Sequence, residues 1–83
     1  MVKPGKYKHY KSKDQVYEVT GVGINSETLE EYVIYKALYA SERYPYGTLW
    51  LRTKKEFLGR VNFEGQFVSR FEFIEEKDTT KAI

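Results

Sequence analysis

Tyr32-Val33-Ile34-Tyr35-Lys36-Ala37-Leu38-Tyr39, preceded by Ser26-Glu27-Thr28-Leu29-Glu30-Glu31, decides the fold of this chain. Thr28 with Glu31 three positions later matches a helix capping box. Lys36, Ala37, Leu38 and Glu42 are acceptable helix residues, so an amphipathic helix over roughly 29–42 is one reading. The other is a strand, because Tyr32, Val33, Ile34 and Tyr35 lose side-chain freedom in a helix and pack well on a pleated surface. The strand is favoured, with the helix as its competitor, and Ser26-Glu27-Thr28 then forms a polar loop leading into it.

Toward the N-terminus the signal is period-2 alternation. Gly5 to Tyr10 places Tyr7 and His9 opposite Lys6 and Lys8, and Val16 to Thr20 places Tyr17 and Val19 opposite Glu18 and Thr20. Gly21 and Gly23 interrupt a run that is strand-like through Ile24, as at a bulge or sharp bend. Toward the C-terminus, Pro45 and Gly47 mark Ser41 to Gly47 as a loop, and Leu49-Trp50-Leu51-Arg52 reads as a short strand. Thr53 can cap a single helical turn through Phe57, closed by Gly59. Arg60 to Phe63 and Phe67 to Ile74 flank Glu64-Gly65-Gln66 as a hairpin with a bulged turn, with Phe67, Ser69, Phe71 and Phe73 on one face. Residues 75–83 turn polar and aperiodic, which predicts a flexible tail after a single domain over residues 1–74. Five or six short antiparallel strands bent by glycines, with one short helical turn, predict an all-β fold: a small barrel or roll.

With 83 residues the chain has room for one domain, and so short a chain buries only about 60% of its unfolded surface. The eight Tyr, five Phe and one Trp must therefore supply much of the core, each ring burying roughly 150–250 Å². No Cys is present, which excludes disulfide staples, thiolate zinc sites and thiol nucleophiles. No apolar run approaches the roughly 20 residues of a membrane span, and Met1-Val2 leads into Lys3-Pro4-Gly5 without a signal-peptide pattern. The chain reads as cytoplasmic. The net charge is only +2, but Lys3, Lys6, Lys8, Lys11 and Lys13 crowd one end while Glu72, Glu75, Glu76 and Asp78 weight the other. The lysines predict the solvent face of an edge strand, where like charges blunt edge pairing. The functional alternative is a basic patch, interleaved with Tyr7, His9 and Tyr10, for phosphate-bearing partners.

No catalytic or cofactor motif occurs. His9 is the sole histidine, and without Cys or further His it makes a poor metal set, so no metal or cofactor is expected. Its structural reading is a partly buried ring held by backbone or a carboxylate. Its functional reading is a ligand contact. Ser26, Glu27 and Thr28 can grip a polar ligand from the loop with two hydroxyls and a carboxylate, or the Ser26 and Thr28 hydroxyls merely bond the local backbone and fix the turn. Trp50 and Arg52, two apart on a strand, share a face and can present an indole beside an anion-binding guanidinium, with Glu27 or Glu30 as a salt-bridge partner. Gly21-Val22-Gly23 is too short for a phosphate loop.

Gly5-Lys6-Tyr7-Lys8-His9-Tyr10-Lys11, Tyr17-Glu18-Val19, Gly21-Val22, Ser26-Glu27-Thr28-Leu29-Glu30, Val33-Ile34-Tyr35, Leu38-Tyr39, Leu49-Trp50-Leu51-Arg52, Phe57 and Arg70-Phe71 together resemble the bacterial family called domain of unknown function 1653. The resemblance implies a small roll similar to the Src-homology-3-like barrels and adds support to the strand at Tyr32. It departs at Thr53 and Ser69, where the family usually has proline, and in a longer loop over residues 40–47. It implies no activity.

The functional expectation is a binding module, leaning away from an enzyme. One polar, aromatic-lined cleft of His9, Glu27, Thr28, Tyr35, Trp50 and Arg52 would take a charged or nucleotide-like small molecule or a peptide. The alternative is single-stranded RNA or other nucleic-acid binding through the lysine-rich segment and exposed aromatics. A small enzyme with His9 as general base beside Glu27 is a third reading, and homodimerisation through a tyrosine-rich surface a fourth. No membrane partner is expected.

Overall fold

A computed structural model describes residues 2–76. Its chain order is β1 (Gly5–His9), β2 (Ser12–Ile24), β3 (Glu31–Ala37), β4 (Leu49–Thr53), α1 (Lys54–Phe57), β5 (Arg60–Phe63), β6 (Gln66–Ser69) and β7 (Phe71–Glu76). The fold is all-β, with one antiparallel sheet in the order β4-β3-β2-β1-β7 and a separate β5-β6 ribbon. The deciding stretch is strand β3, with Val33, Tyr35 and Ala37 buried and the intervening residues less so. A helix there would spread those side chains around its circumference, whereas the strand aims all three at one core.

Three register shifts bend the sheet: at Lys6/Tyr7 against β7, at Lys8/His9 against β2, and at Val19/Gly21 against β3. At the last, Thr20 has no partner of its own on β3, and its hydroxyl donates to Ile34 O at 3.1 Å. Such bulges raise local twist and curl the sheet around its inner face. The inner face carries a largely aromatic core that includes Tyr7, Tyr17, Val33, Tyr35, Phe57 and Phe71. Phe57 reaches it from α1, whose start Thr53 caps by accepting from Glu56 N. The Phe57 ring stacks on Phe71 at 4.3 Å and meets the Tyr7 edge at 5.2 Å.

Several local expectations are corrected. β1 is not an edge strand but lies between β2 and β7. Lys6 and Lys8 consequently face Glu75 and Glu72 across the β1–β7 ladder, with ion-pair distances of 3.4 and 3.6 Å. Two of the N-terminal lysines and two of the C-terminal acids are thus paired across this ladder. The C-terminal hairpin arm is two strands, because Arg70 interrupts it: Arg70 N donates to Gly59 O and Arg70 O accepts from Tyr10 N, tying the ribbon to the main sheet. The interruption separates the phenylalanines, so Phe71 is buried while Phe67 is 69% exposed. The β5–β6 turn has two residues rather than three, since Phe63 pairs with Gln66. Glu64 and Gly65 take φ of 54° and 84°, the positive values of a type I′ turn. β7 continues through Glu76, and the predicted tail beyond it, residues 77–83, lies outside the described residues. Among the described residues no helix is long and apolar enough to cross a membrane.

Candidate functional site

The ladder registers bring one face of five strands together. Tyr17 lies opposite Tyr7 and Ala37, Tyr35 opposite Val19 and Trp50, and His9 opposite Phe71. Above these residues the curled sheet leaves a cavity of about 330 Å³. Its floor and walls are His9 from β1, Tyr17 from β2, Tyr35 and Ala37 from β3, Trp50 and Arg52 from β4, and Phe71 from β7. Gln15 at the start of β2, with Tyr39, Ser41 and Tyr44 from the β3–β4 connection, completes the lining.

Arg52 supplies the cavity's formal charge. Its Nε donates to the Tyr35 hydroxyl at 3.3 Å, and its guanidinium carbon lies 5.8 Å from the Phe71 ring centre. Its Nη1 is 3.9 Å from Glu56 Oε1, a loose i,i+4 contact to a well-exposed carboxylate. A contact of that length on the surface is worth little, so the guanidinium keeps its capacity for an anion. Trp50 packs edge-on against Tyr44 at 4.9 Å. The Tyr44 loop is fixed by Ser41, whose N donates to Tyr44 O and whose Oγ accepts from Tyr44 N.

Several polar groups in the wall have a proton to give, beside Gln15 and Ser41, which both donate and accept. The Tyr17 and Tyr39 hydroxyls meet at 2.6 Å, and two hydroxyls sharing one contact leave one O–H to give. Burial, reinforced by that bond, pushes the Tyr17 phenol far above the ordinary tyrosine range, so it stays protonated. His9 Nδ1 accepts from Lys11 N at 3.2 Å, and the ring meets the edge of Phe71 at 5.2 Å. Burial, then Arg52, Lys11 and Arg70, lower its pKa below the usual histidine value. His9 is therefore a neutral ring near pH 7.

Of the residues expected to form the cleft, His9, Tyr35, Trp50 and Arg52 converge on this cavity. Glu27 and Thr28 do not line it. They sit in the β2–β3 turn, roughly 20 Å along β2 from Tyr17 at about 3.3 Å per residue. Their backbone N–H groups donate to Asn25 Oδ1 at 2.9 and 3.2 Å, and the Thr28 hydroxyl accepts from Glu30 N. Local turn chemistry accounts for both residues. The expected acid partner of Arg52 is likewise Glu56 rather than Glu27 or Glu30, while Glu31 pairs with Lys54 at 3.0 Å. His9 has no Glu27 beside it, which removes the pair that general-base catalysis required. Among the described residues no group of three or more His, Cys, Asp and Glu could hold a metal ion.

Tyr17, Tyr39, Tyr44 and Phe71 are cavity residues that the sequence pattern does not single out. Alternation is a usable signal for two of them: with Glu18 it turns Tyr17 inward beside Val19, and the same period sets Phe71 on the face of Phe73. Tyr44 comes from an irregular loop and gives none.

Fold and site together define a small all-β domain carrying a singly charged, aromatic-walled cavity. The chain belongs to the family described as protein of unknown function, DUF1653, whose model matches residues 5–73. A crystal structure of a DUF1653 protein from Bordetella bronchiseptica is similar, with 26% identity, a TM-score of 0.76 and 95% of each chain covered. Comparison with curated proteins gives no match.

Proposed function

We propose that this chain is a bacterial, cytoplasmic, non-enzymatic binding module, built on an Src-homology-3-like roll, that takes a charged or nucleotide-like small molecule or a peptide in the cavity of His9, Tyr35, Trp50 and Arg52. The observation that carries the reading is a guanidinium held by Tyr35 and Phe71 inside aromatic walls, with no carboxylate among the lining residues. Apolar walls with a few converging polar groups are the common make-up of small-ligand sites, and about 330 Å³ is near the lower end of their range. The three bulges that curl the five-stranded sheet support the roll, and the lack of Cys suits a reducing compartment.

A thermal-shift screen of metabolites and nucleotides tests the reading, each hit being repeated with Trp50→Ala, Arg52→Ala and Thr28→Ala. Loss of the shift with the first two and its retention with the third is expected. A hit indifferent to Trp50 and Arg52 refutes the site. Nucleic-acid binding through the lysine-rich segment is the weaker alternative, because Lys6 and Lys8 already have carboxylate partners. It predicts single-stranded RNA affinity that falls steeply with salt.

A further inference from the structure

Resting on the reading of this cavity as a binding site, we infer that its ligand is a planar ring bearing a single carboxylate, seated on Arg52 and Tyr35 with its ring against Trp50. Three observations limit the class. The lining holds one guanidinium and no Asp or Glu, so a ligand anion has a charged partner, while a ligand cation has ring faces alone and the like charge of Arg52 against it. The remaining polar groups around that guanidinium mostly have protons to give. Tyr35 accepts from Arg52 and keeps its own O–H, the Tyr17–Tyr39 pair keeps one, and the Trp50 indole N–H is a donor only. An acceptor-only group such as an ionised carboxylate can take bonds from these groups and from the guanidinium together, whereas the NH2 of an amide finds acceptors only in the hydroxyls and Gln15 and gains nothing from the guanidinium.

The amount of charge separates carboxylate from phosphate. A phosphomonoester carries close to two negative charges and is usually held by several cations or a nest of backbone N–H groups. Here Arg52 is the one formally charged residue of the lining, and His9 is neutral near pH 7. A monoanion balances the site and a dianion exceeds it. The walls set the rest of the ligand: Trp50, Tyr35, Tyr44 and Phe71 offer ring faces and edges for an aromatic or similarly flat body.

The test is a two-dimensional amide NMR titration of the intact protein with four probes: indole-3-acetate, its neutral isostere indole-3-acetamide, adenosine monophosphate, and a short peptide ending in a free tryptophan carboxylate. Indole-3-acetate is expected to shift resonances around Tyr35, Trp50 and Arg52 and to bind about tenfold or more tighter than the amide, the worth of one charge-assisted hydrogen bond. Arg52→Gln is expected to erase the acid-over-amide preference while the amide's own weak binding persists. Trp50→Leu is expected to weaken both. The peptide arm distinguishes a free acid from a chain terminus as the source of the carboxylate. A second, outer groove is lined by Ile24, Ile34 and Leu51, the last two alternating with the cavity-facing residues on β3 and β4. Equal affinity for acid and amide, or acid-induced shifts confined to that groove, overturns the inference. Preferential, Arg52-dependent binding of adenosine monophosphate overturns it too, but leaves the binding-module reading standing. Failure of all four probes at the cavity overturns the carboxylate class; the unrestricted metabolite screen then decides the broader reading separately.

Discussion

Truncating Phe57 to alanine tests how the fold is closed. Phe57 is only 2% exposed, lies on a helix of four residues, and contacts rings from three strands: Tyr7 of β1, Tyr35 of β3 and Phe71 of β7. A buried Phe→Ala change costs about 3–5 kcal/mol, combining lost transfer energy with the cavity left behind. A domain of 83 residues has a total stability of about 4–12 kcal/mol. The variant is therefore expected to lose between about a quarter of its stability and all of it. Urea unfolding followed by circular dichroism measures the change. Phe57→Leu, which retains part of the volume but not the stack on Phe71, should fall between wild type and Phe57→Ala. Leu51→Ala is the control, since Leu51 is 65% exposed and its loss should stay within about 0.5 kcal/mol. A cost below about 1 kcal/mol for Phe57→Ala would mean that α1 does not pin the inner face of the sheet, and the account of the core would fail.

Two further outcomes follow from the charges. His9 has a folded-state pKa below its unfolded value, so between those two values the unfolded chain binds more protons and stability falls as pH drops through about 6.5. His9→Gln should therefore lose less stability than wild type between pH 7.5 and pH 5.5, with an NMR titration placing the wild-type imidazole below its ordinary value; an imidazole titrating at or above that value refutes the assignment. Lys8→Glu sets a like charge against Glu72 and should cost on the order of 0.2–1 kcal/mol at low salt, with most of the loss restored by adding Glu72→Lys. No recovery in the double variant would contradict the β1–β7 register.

Much of the sheet is legible in the residues, and the reasons are local. Tyr7 and His9, and Tyr17 and Val19, alternate with polar neighbours, and period 2 fixes which side each faces once they are strands; Tyr32 to Tyr35 is apolar throughout and is legible as a strand by its β-branched and aromatic content alone. Trp50 and Arg52 share the cavity for the same reason, as their spacing predicts. Thr53 caps α1 through a bond spanning only three residues, again a local matter. What stays hidden depends on distant partners. Arg70 has no glycine or proline to announce a break, and the strand divides there because Gly59 and Tyr10 claim its backbone groups. β1 looks like an edge until β7 returns to pair with it, which no pattern within residues 5–9 can reveal. Glu27 and Thr28 have the chemistry of a binding loop but do not line the cavity, since Asn25 holds them in a turn at the far end of β2. Tyr44 reaches Trp50 through an irregular loop, where no periodicity assigns a direction.

The most direct test is a crystal structure of the protein soaked with the best carboxylate found by the titration. Density for the carboxylate within hydrogen-bond distance of Arg52 and the Tyr35 hydroxyl, with the ring against Trp50, is the result predicted. Density for the ligand only in the outer groove by Leu51, or a carboxylate turned away from Arg52, would contradict it.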